Sequence, residues 1–310
     1  MVMARTALSA EITSKLRLPA IAAPMFLVSG PEMVLESCKA GIIGSFPANN
    51  ARTIEQLEDW LIRISETAEQ AGLPWAVNLI MHRSYARHEE ELALVMKYKP
   101  PLVITALGSP KDIVEPIHSY GGLVLADVNS IEFAKKAAST GVDGLVLVSS
   151  GAGGHTGQIS GFAFVPAVRE FFDGIIVLGG AIGTGQAVRA AELLGADFAY
   201  LGTRLIGSSE SMAEDGYKQM LIDASADDIV LSAALTGVPA NWLKASIIAA
   251  GLDPKELGEK RAIDFGRPED ADKKKWRDIW SAGHGVGSVQ DVEPIKAIID
   301  KMVGEYEACI

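Results

Sequence analysis

With 310 residues the chain is long enough to bury a sizeable core, as one large domain or as one domain carrying an insert. Its 48% hydrophobic and 22% charged residues are those of an ordinary soluble globular protein. A net charge of −11 that no basic run offsets argues against a nucleic-acid or anionic-membrane surface. The one cationic cluster, Lys273 to Lys275, sits beside Glu269, Asp270 and Asp272 and reads as a solvated face. Cys38 and Cys309 are too few for a disulfide framework or a metal site, and both suit a reducing compartment. Met1 to Pro19 lacks the apolar core of a signal peptide, and no run approaches the roughly 20 apolar residues of a membrane span. The expectation is a soluble, cytoplasmic protein with no membrane or nucleic-acid partner.

Strand and helix signals alternate from early on. Ala20 to Phe26 is a first strand, with Pro24 at its end where a missing N–H does little harm. Ser29-Gly30-Pro31-Glu32 opens a helix that stops at Ala40-Gly41. Ile42 to Phe46 is a second strand, and Thr53 starts a helix to Ala71 whose Leu57, Trp60, Leu61 and Ile64 recur at helical spacing. Trp75 to Ile80, Leu102 to Gly108 and Leu123 to Val128 are the next strands. Their helices run roughly from Ala86 to Tyr98, Pro110 to Tyr120 and Ser130 to Thr140. Three further apolar runs follow, Gly144 to Val148, Ile175 to Leu178 and Phe198 to Leu201, each ending in a glycine-rich turn. Phe164 to Phe172 and Gln186 to Leu194 are helical between them.

Short aliphatic runs alternating with helices indicate parallel strands buried on both faces. Eight such units in series predict an α/β fold, the TIM (β/α)8 barrel. A doubly wound open sheet would carry its glycine fingerprint after the first strand, and none is there. A barrel typically uses about 250 residues, so extra chain must be placed. Residues 209–275 are expected to form a mainly helical insert after strand eight, leaving 1–208 and 276–310 as the barrel. Leu235 to Trp242 interrupts that insert, with Trp242 expected in its core. Another glycine turn, Trp280 to Gly287, precedes a closing helix from about Val292 to Tyr306.

Chemistry in barrels sits on the turns that follow the strands. Gly179-Gly180 after strand seven and Gly202-Thr203 after strand eight are where barrels commonly bind phosphate. The turn after strand six, Gly153-Gly154-His155-Thr156-Gly157, holds a single imidazole able to move a proton near neutral pH. His82, His88 and His118 lack such a setting, and no pair has metal-ligand spacing, so no metal is expected. Asn78, ending strand three, is an amide at the same mouth, suited to a ligand's polar ring edge or to a turn cap. Asp127, ending strand five, reads equally as a polar contact to a cofactor or as a turn residue. No Ser-His-Asp set or reactive cysteine is evident, which sets covalent hydrolysis aside.

This order of motifs resembles the nitronate monooxygenase family, formerly called 2-nitropropane dioxygenases, among the FMN-dependent TIM barrels. The resemblance spans nearly the whole chain. It rests on Ala23-Pro24-Met25, Val77-Asn78-Leu79, Gly153 to Gly157, Gly179 to Ile182, Leu201 to Arg204 and Trp280 to Gly283. It implies non-covalent FMN, with Pro24 and Met25 lining the ring and Asn78 bonding its polar edge. Gly179, Gly180, Gly202 and Thr203 would hold the phosphate, and Gly154 and Asp127 are counted with the cofactor contacts. His155 would face the reactive side, as base or as an acid holding the anionic nitro group. The family reaction oxidises alkyl nitronates, and in some members nitroalkanes, with O2 to a carbonyl compound and nitrite.

The same scaffold hosts NAD(P)H-dependent reductases of enoyl thioesters and quinones, which share the Gly-His-x-Gly turn. They are the alternative, and a non-catalytic FMN- or phosphate-binding barrel is a remote third. The sequence has no evident tyrosine cluster near the C-terminal glycine turn, and Tyr306 falls too far along the last helix. Substrate identity and homo-oligomerisation are left open.

Overall fold

The computed structural model describes residues 14–257 and 279–309. Seven strands in chain order are β1 (Ala20–Ala22), β2 (Gly44–Pro47), β3 (Trp75–Ile80), β4 (Leu102–Ala106), β5 (Leu123–Val128), β6 (Gly144–Val148) and the two-residue β7 (Gly154–His155). β8 (Ile175–Gly179) and β9 (Phe198–Leu201) follow. All but β7 pair in parallel in the order β1-β9-β8-β6-β5-β4-β3-β2. The ring closes where Ile21 bridges Ile43: Ala22 N–H donates to the Ile43 carbonyl at 2.8 Å and Ile43 N–H to Ala20 at 3.0 Å. The expected barrel is there.

Side-chain alternation, with its period of two, divides each strand between the barrel interior and the helix layer. Ile21, Ala76, Ile104, Leu125, Val146, Val177 and Phe198 fill the interior. Their neighbours Val77, Val103, Val124, Leu145 and Ile176 point outward into a second apolar layer beneath the helices. Both faces are apolar, so the strands read in sequence as continuous hydrophobic runs.

The helices are α1 (Pro31–Ala40), α2 (Ile54–Ala71), α3 (His88–Tyr98), α4 (Lys111–Ser119), α5 (Ile131–Ala138), α6 (Gly161–Arg169) and α7 (Gly185–Leu194). A four-residue α8 (Thr203–Ile206) follows β9. The eighth place in the outer ring is taken by the last helix of the chain, which packs between α7 and α1. At the N-terminal face, Asp143 accepts the Val124 N–H at 2.8 Å and Asp197 accepts that of Ile176 at 2.7 Å. Each carboxylate thus ties the start of one strand to the loop entering the next. Asp197 is also paired with Arg169 at 2.5 Å. Among the described residues, no helix is long and apolar enough to cross a membrane.

The insert holds helices α9 (Asp215–Ile222) and α10 (Lys244–Ala249), and it adds an antiparallel hairpin that helical composition does not announce. β10 (Ile229–Ser232) pairs with β11 (Ala240–Leu243), and β11 pairs in turn with β7, matching Ala240 to His155 and Asn241 to Gly154. Trp242 is fully buried with Leu235, Ala240, Ile247 and Ile279, and its Nε1–H donates to the Ser232 carbonyl at 3.3 Å. The chain ends on α11 (Ile295–Glu307). The Lys273 to Lys275 cluster and the far edge of the expected insert lie outside the described residues.

The first strand is shorter than the sequence suggests, ending at Ala22. Asn50 explains the difference: its side chain accepts the Leu27 N–H at 2.8 Å and donates to the Met25 and Ser29 carbonyls at 2.9 and 2.7 Å. Those bonds curl residues 25–29 into a loop. Because Trp242 is the largest side chain in the insert's core, Trp242→Ala is expected to lose about 3–5 kcal/mol of stability. Urea unfolding of the full chain checks this, and a variant as stable as the parent contradicts it.

Candidate active site

Two residues above the apolar interior, the same alternation places a different layer. Asn78 follows Ala76, Asp127 follows Leu125, Val148 follows Val146, Gly179 follows Val177 and Tyr200 follows Phe198. Val148 and Tyr200 each stand in register with Gly179. This layer floors a cavity of about 820 Å³ at the C-terminal ends of the strands, the end where barrel enzymes carry their sites.

Every residue singled out from the sequence lines this cavity: Pro24, Met25, Asn78, Asp127, Gly154, His155, Gly179, Gly180, Gly202 and Thr203. Asn78 is nearly buried and gives its amide N–H to the Ile104 carbonyl at 3.2 Å. Gly180 has φ +129°, and a Cβ there would stand 2.3 Å from Ser149 Oγ, so no other residue fits without moving the turn. At Gly202 the situation is reversed. A Cβ would meet nothing nearer than Met25 Sδ at 3.8 Å and would project into the cavity. The Thr203 hydroxyl accepts the Gly283 N–H at 2.8 Å, which fastens the C-terminal glycine turn to the end of β9.

His155 reaches the cavity from β7, with its backbone paired to β11. Burial lowers its pKa below the usual 6.5, so the imidazole is neutral near pH 7. Asp127 shows the opposite effect of the same cause. Its carboxyl is pushed up to about 7 by burial, and Oδ1 has no hydrogen-bond partner. The Tyr200 hydroxyl is also buried without a partner, and burial and the Asp127 charge both raise its pKa. Two orphaned polar atoms on the floor of one cavity cost about 1–3 kcal/mol each until something supplies a partner.

Among the other lining residues, Trp280 belongs to a glycine turn already marked in the sequence, whereas its partner Tyr217 was not legible in advance. Tyr217 and Trp280 stack in parallel, ring centroids 5.0 Å apart and 8° between planes. The Tyr217 hydroxyl donates to the Ser281 carbonyl. A tyrosine therefore does stand against the C-terminal glycine turn, brought there from α9 some sixty residues away. Strand parity counted from Phe198 would have found Tyr200; nothing local marks Tyr217. Tyr306 is outside the cavity, its hydroxyl donating to Glu192 at 2.8 Å. His118 pairs with Asp143 at 2.8 Å on the opposite face of the barrel.

A family model for nitronate monooxygenase matches residues 10–305. Among curated proteins, a nitronate monooxygenase from Paraburkholderia phytofirmans is 26% identical over 87% of this chain and 86% of its own length. A (3aS,4S,5R,7aS)-5-hydroxy-7a-methyl-1-oxo-octahydro-1H-indene-4-carboxyl-CoA dehydrogenase from Rhodococcus jostii is 26% identical over 74% of this chain. That alignment spans 64% of the dehydrogenase. Among solved structures, nitroalkane oxidase from Streptomyces ansochromogenes superposes with a TM-score of 0.81 at 22% identity, covering 96% of this chain and 97% of its own. That likeness bears on the fold.

The Asp127 carboxyl makes the site's electrostatics testable. A carboxyl whose pKa rises on folding contributes stability that is complete below its unfolded value of 3.8 and is lost as pH rises through about 7. Asp127→Asn removes that loss. The variant should gain thermal stability over the parent at about pH 8, with the gain shrinking towards about pH 4. A difference in melting temperature that does not change with pH contradicts the assignment.

Proposed function

The chain belongs to the nitronate monooxygenase family, an oxidoreductase family, and from that premise we propose that it is an FMN-dependent enzyme oxidising alkyl nitronates with O2 to a carbonyl compound and nitrite. The observation that carries the reading is the meeting, in one cavity, of the His155 imidazole and the glycine turns after β8 and β9, with open space above Gly202.

The residues present fit the cofactor. Gly202 leaves room that any side chain would fill, and Gly180 has no room for one. The orphaned oxygens of Asp127 and Tyr200 await a hydrogen-bonding ligand. The phosphate would rest on Gly179, Gly180, Gly202 and Thr203, the ring would lie along Pro24 and Met25, and Asn78, Asp127 and Gly154 would meet its polar parts. When bound, FMN supplies the redox chemistry between the carbanion and O2.

The protein's own work is placement and proton handling. A nitronate is already a carbanion equivalent and needs only orientation beside the cofactor. A neutral nitroalkane must first lose its α-proton, and a ring nitrogen of His155 accepts it. The depressed pKa favours the role of base over that of a cation holding the nitro group, because the imidazole is uncharged at neutral pH. Tyr217 and Trp280 line the same cavity as a stacked aromatic pair.

A second reading is supported by the Rhodococcus relative, whose name describes a dehydrogenase of a CoA ester, and by a cavity wide enough for more than a small nitronate. In it, NAD(P)H delivers hydride and the acceptor is an enoyl thioester or a quinone. Anaerobic bleaching of the bound cofactor by NADH or NADPH, much faster than turnover of propyl-2-nitronate in air, selects the reductase; the reverse ranking selects the monooxygenase.

Two variants test the assignments. His155→Ala should slow oxidation of neutral nitroalkanes by roughly 10²–10⁴-fold, the usual share of a general base, and affect nitronates far less. Equal losses on both substrates, or none, rule the base out. Gly202→Val should weaken FMN binding at least about tenfold with unchanged far-UV circular dichroism; unaltered affinity removes this turn from the phosphate site.

A further inference from the structure

The loop carrying His155 is held from two sides. From the barrel, Ser149 N–H donates to the Gly179 carbonyl at 2.8 Å and Thr156 Oγ1 donates to the Ser149 carbonyl at 3.0 Å. These bonds fix the two ends of the loop. Its crest, from Ala152 to His155, is bound by the insert. Asn241 Nδ2 donates to the Ala152 carbonyl at 2.8 Å, the β7–β11 ladder matches Asn241 with Gly154 and Ala240 with His155, and Thr156 N–H donates to the Pro239 carbonyl at 3.1 Å.

The orientation of Asn241 follows from strand parity. On β11, Ala240 and Trp242 face the insert's own core, while Leu243 joins the apolar cluster on the barrel side. Asn241 shares the Leu243 side, is only 2% exposed, and is the one polar residue of the strand. A buried amide in an apolar strand is costly unless bonded. Here its N–H is spent on the carbonyl three residues before the histidine.

We propose that Asn241 is a positioning residue for His155, fixing through the Ala152 carbonyl and the β7–β11 pairing the pose in which the imidazole faces the cavity. The insert thereby has a part in the chemistry without touching the reacting atoms. The proposal rests on the reading of His155 as the base, and its test separates the two.

The titratable and charged groups that line the same cavity are Asp127 and Tyr200 on the barrel floor, Lys136 on α5, and Glu214 and Tyr217 at α9, and His284 stands beside Gly151. A neutral substitution at Asn241 changes the charge of none of them, so a shift in the titration of His155 reports its pose and solvation.

The experiment uses the full FMN-loaded chain with Asn241→Ala and with Asn241→Leu, an uncharged side chain of similar volume that has no donor for the Ala152 carbonyl. His155 is titrated by NMR, FMN affinity is measured, and kcat/KM is followed against pH. The expected result has three parts. The His155 pKa rises towards 6.5, the value of a solvated imidazole; kcat/KM falls roughly tenfold to a hundredfold; and FMN affinity stays within about twofold.

A parent-like titration in both variants overturns the proposal, as does an activity loss that merely tracks loss of FMN. Should Asn241→Ala not fold, Asn241→Leu keeps the volume without adding a charge and decides the matter alone. If His155→Ala proves fully active, the base reading fails, yet the NMR titration still says whether Asn241 positions the imidazole.

Discussion

The site depends on a contact in which two stretches of backbone touch with no side chain between them. A Cβ on Gly283 would stand 2.4 Å from the Gly151 carbonyl oxygen, and one on Gly153 would stand 2.8 Å from the Gly283 nitrogen. His284 N–H donates to the Gly151 carbonyl at 2.9 Å, and Gly283 N–H donates to Thr203 Oγ1. Turns from three distant parts of the chain, after β6, after β9 and after the insert, are thereby locked into one wall. The glycines are required by proximity, since any larger residue separates these turns and opens the cavity between them.

Beneath that wall the barrel divides its interior by height. The lower layer is wholly aliphatic or aromatic and needs no partner beyond close packing. The upper layer contains Asn78, Asp127 and Tyr200, and the last two keep buried oxygens without a hydrogen-bond partner, which a purely structural barrel would not leave so. Such groups weaken the fold and suit a ligand, a common exchange at functional sites. Burial then acts on the titratable groups in opposite senses. It lowers the imidazole and raises the carboxyl, so that near neutrality His155 is uncharged and Asp127 is close to its midpoint.

Much of this was legible in the sequence. Eight apolar runs separated by helical segments define the barrel, because strands buried on both faces cannot hide among polar residues. That the residues on strand ends and glycine turns would line one cavity was legible for a related reason: the fold dictates where such residues face. What was hidden depends on contacts between distant segments. The β10–β11 hairpin is short and mixes apolar with small polar residues, and it takes its third strand from Gly154 and His155, two residues with no period of their own. Tyr217 reaches the cavity only because α9 folds back over it. Asn50 looks like a turn residue after the second strand, yet its bonds shape the loop after the first.

We propose that the glycine wall and the polar floor form a cradle for a flavin mononucleotide. The most direct measurement is a fluorescence and absorbance titration of the purified chain with FMN. Saturable binding stoichiometric with the chain is expected, with the flavin's emission changed and its visible bands shifted as the ring leaves water. Emission and bands that stay those of free FMN at every protein concentration, with all of the flavin lost on dialysis, would contradict it.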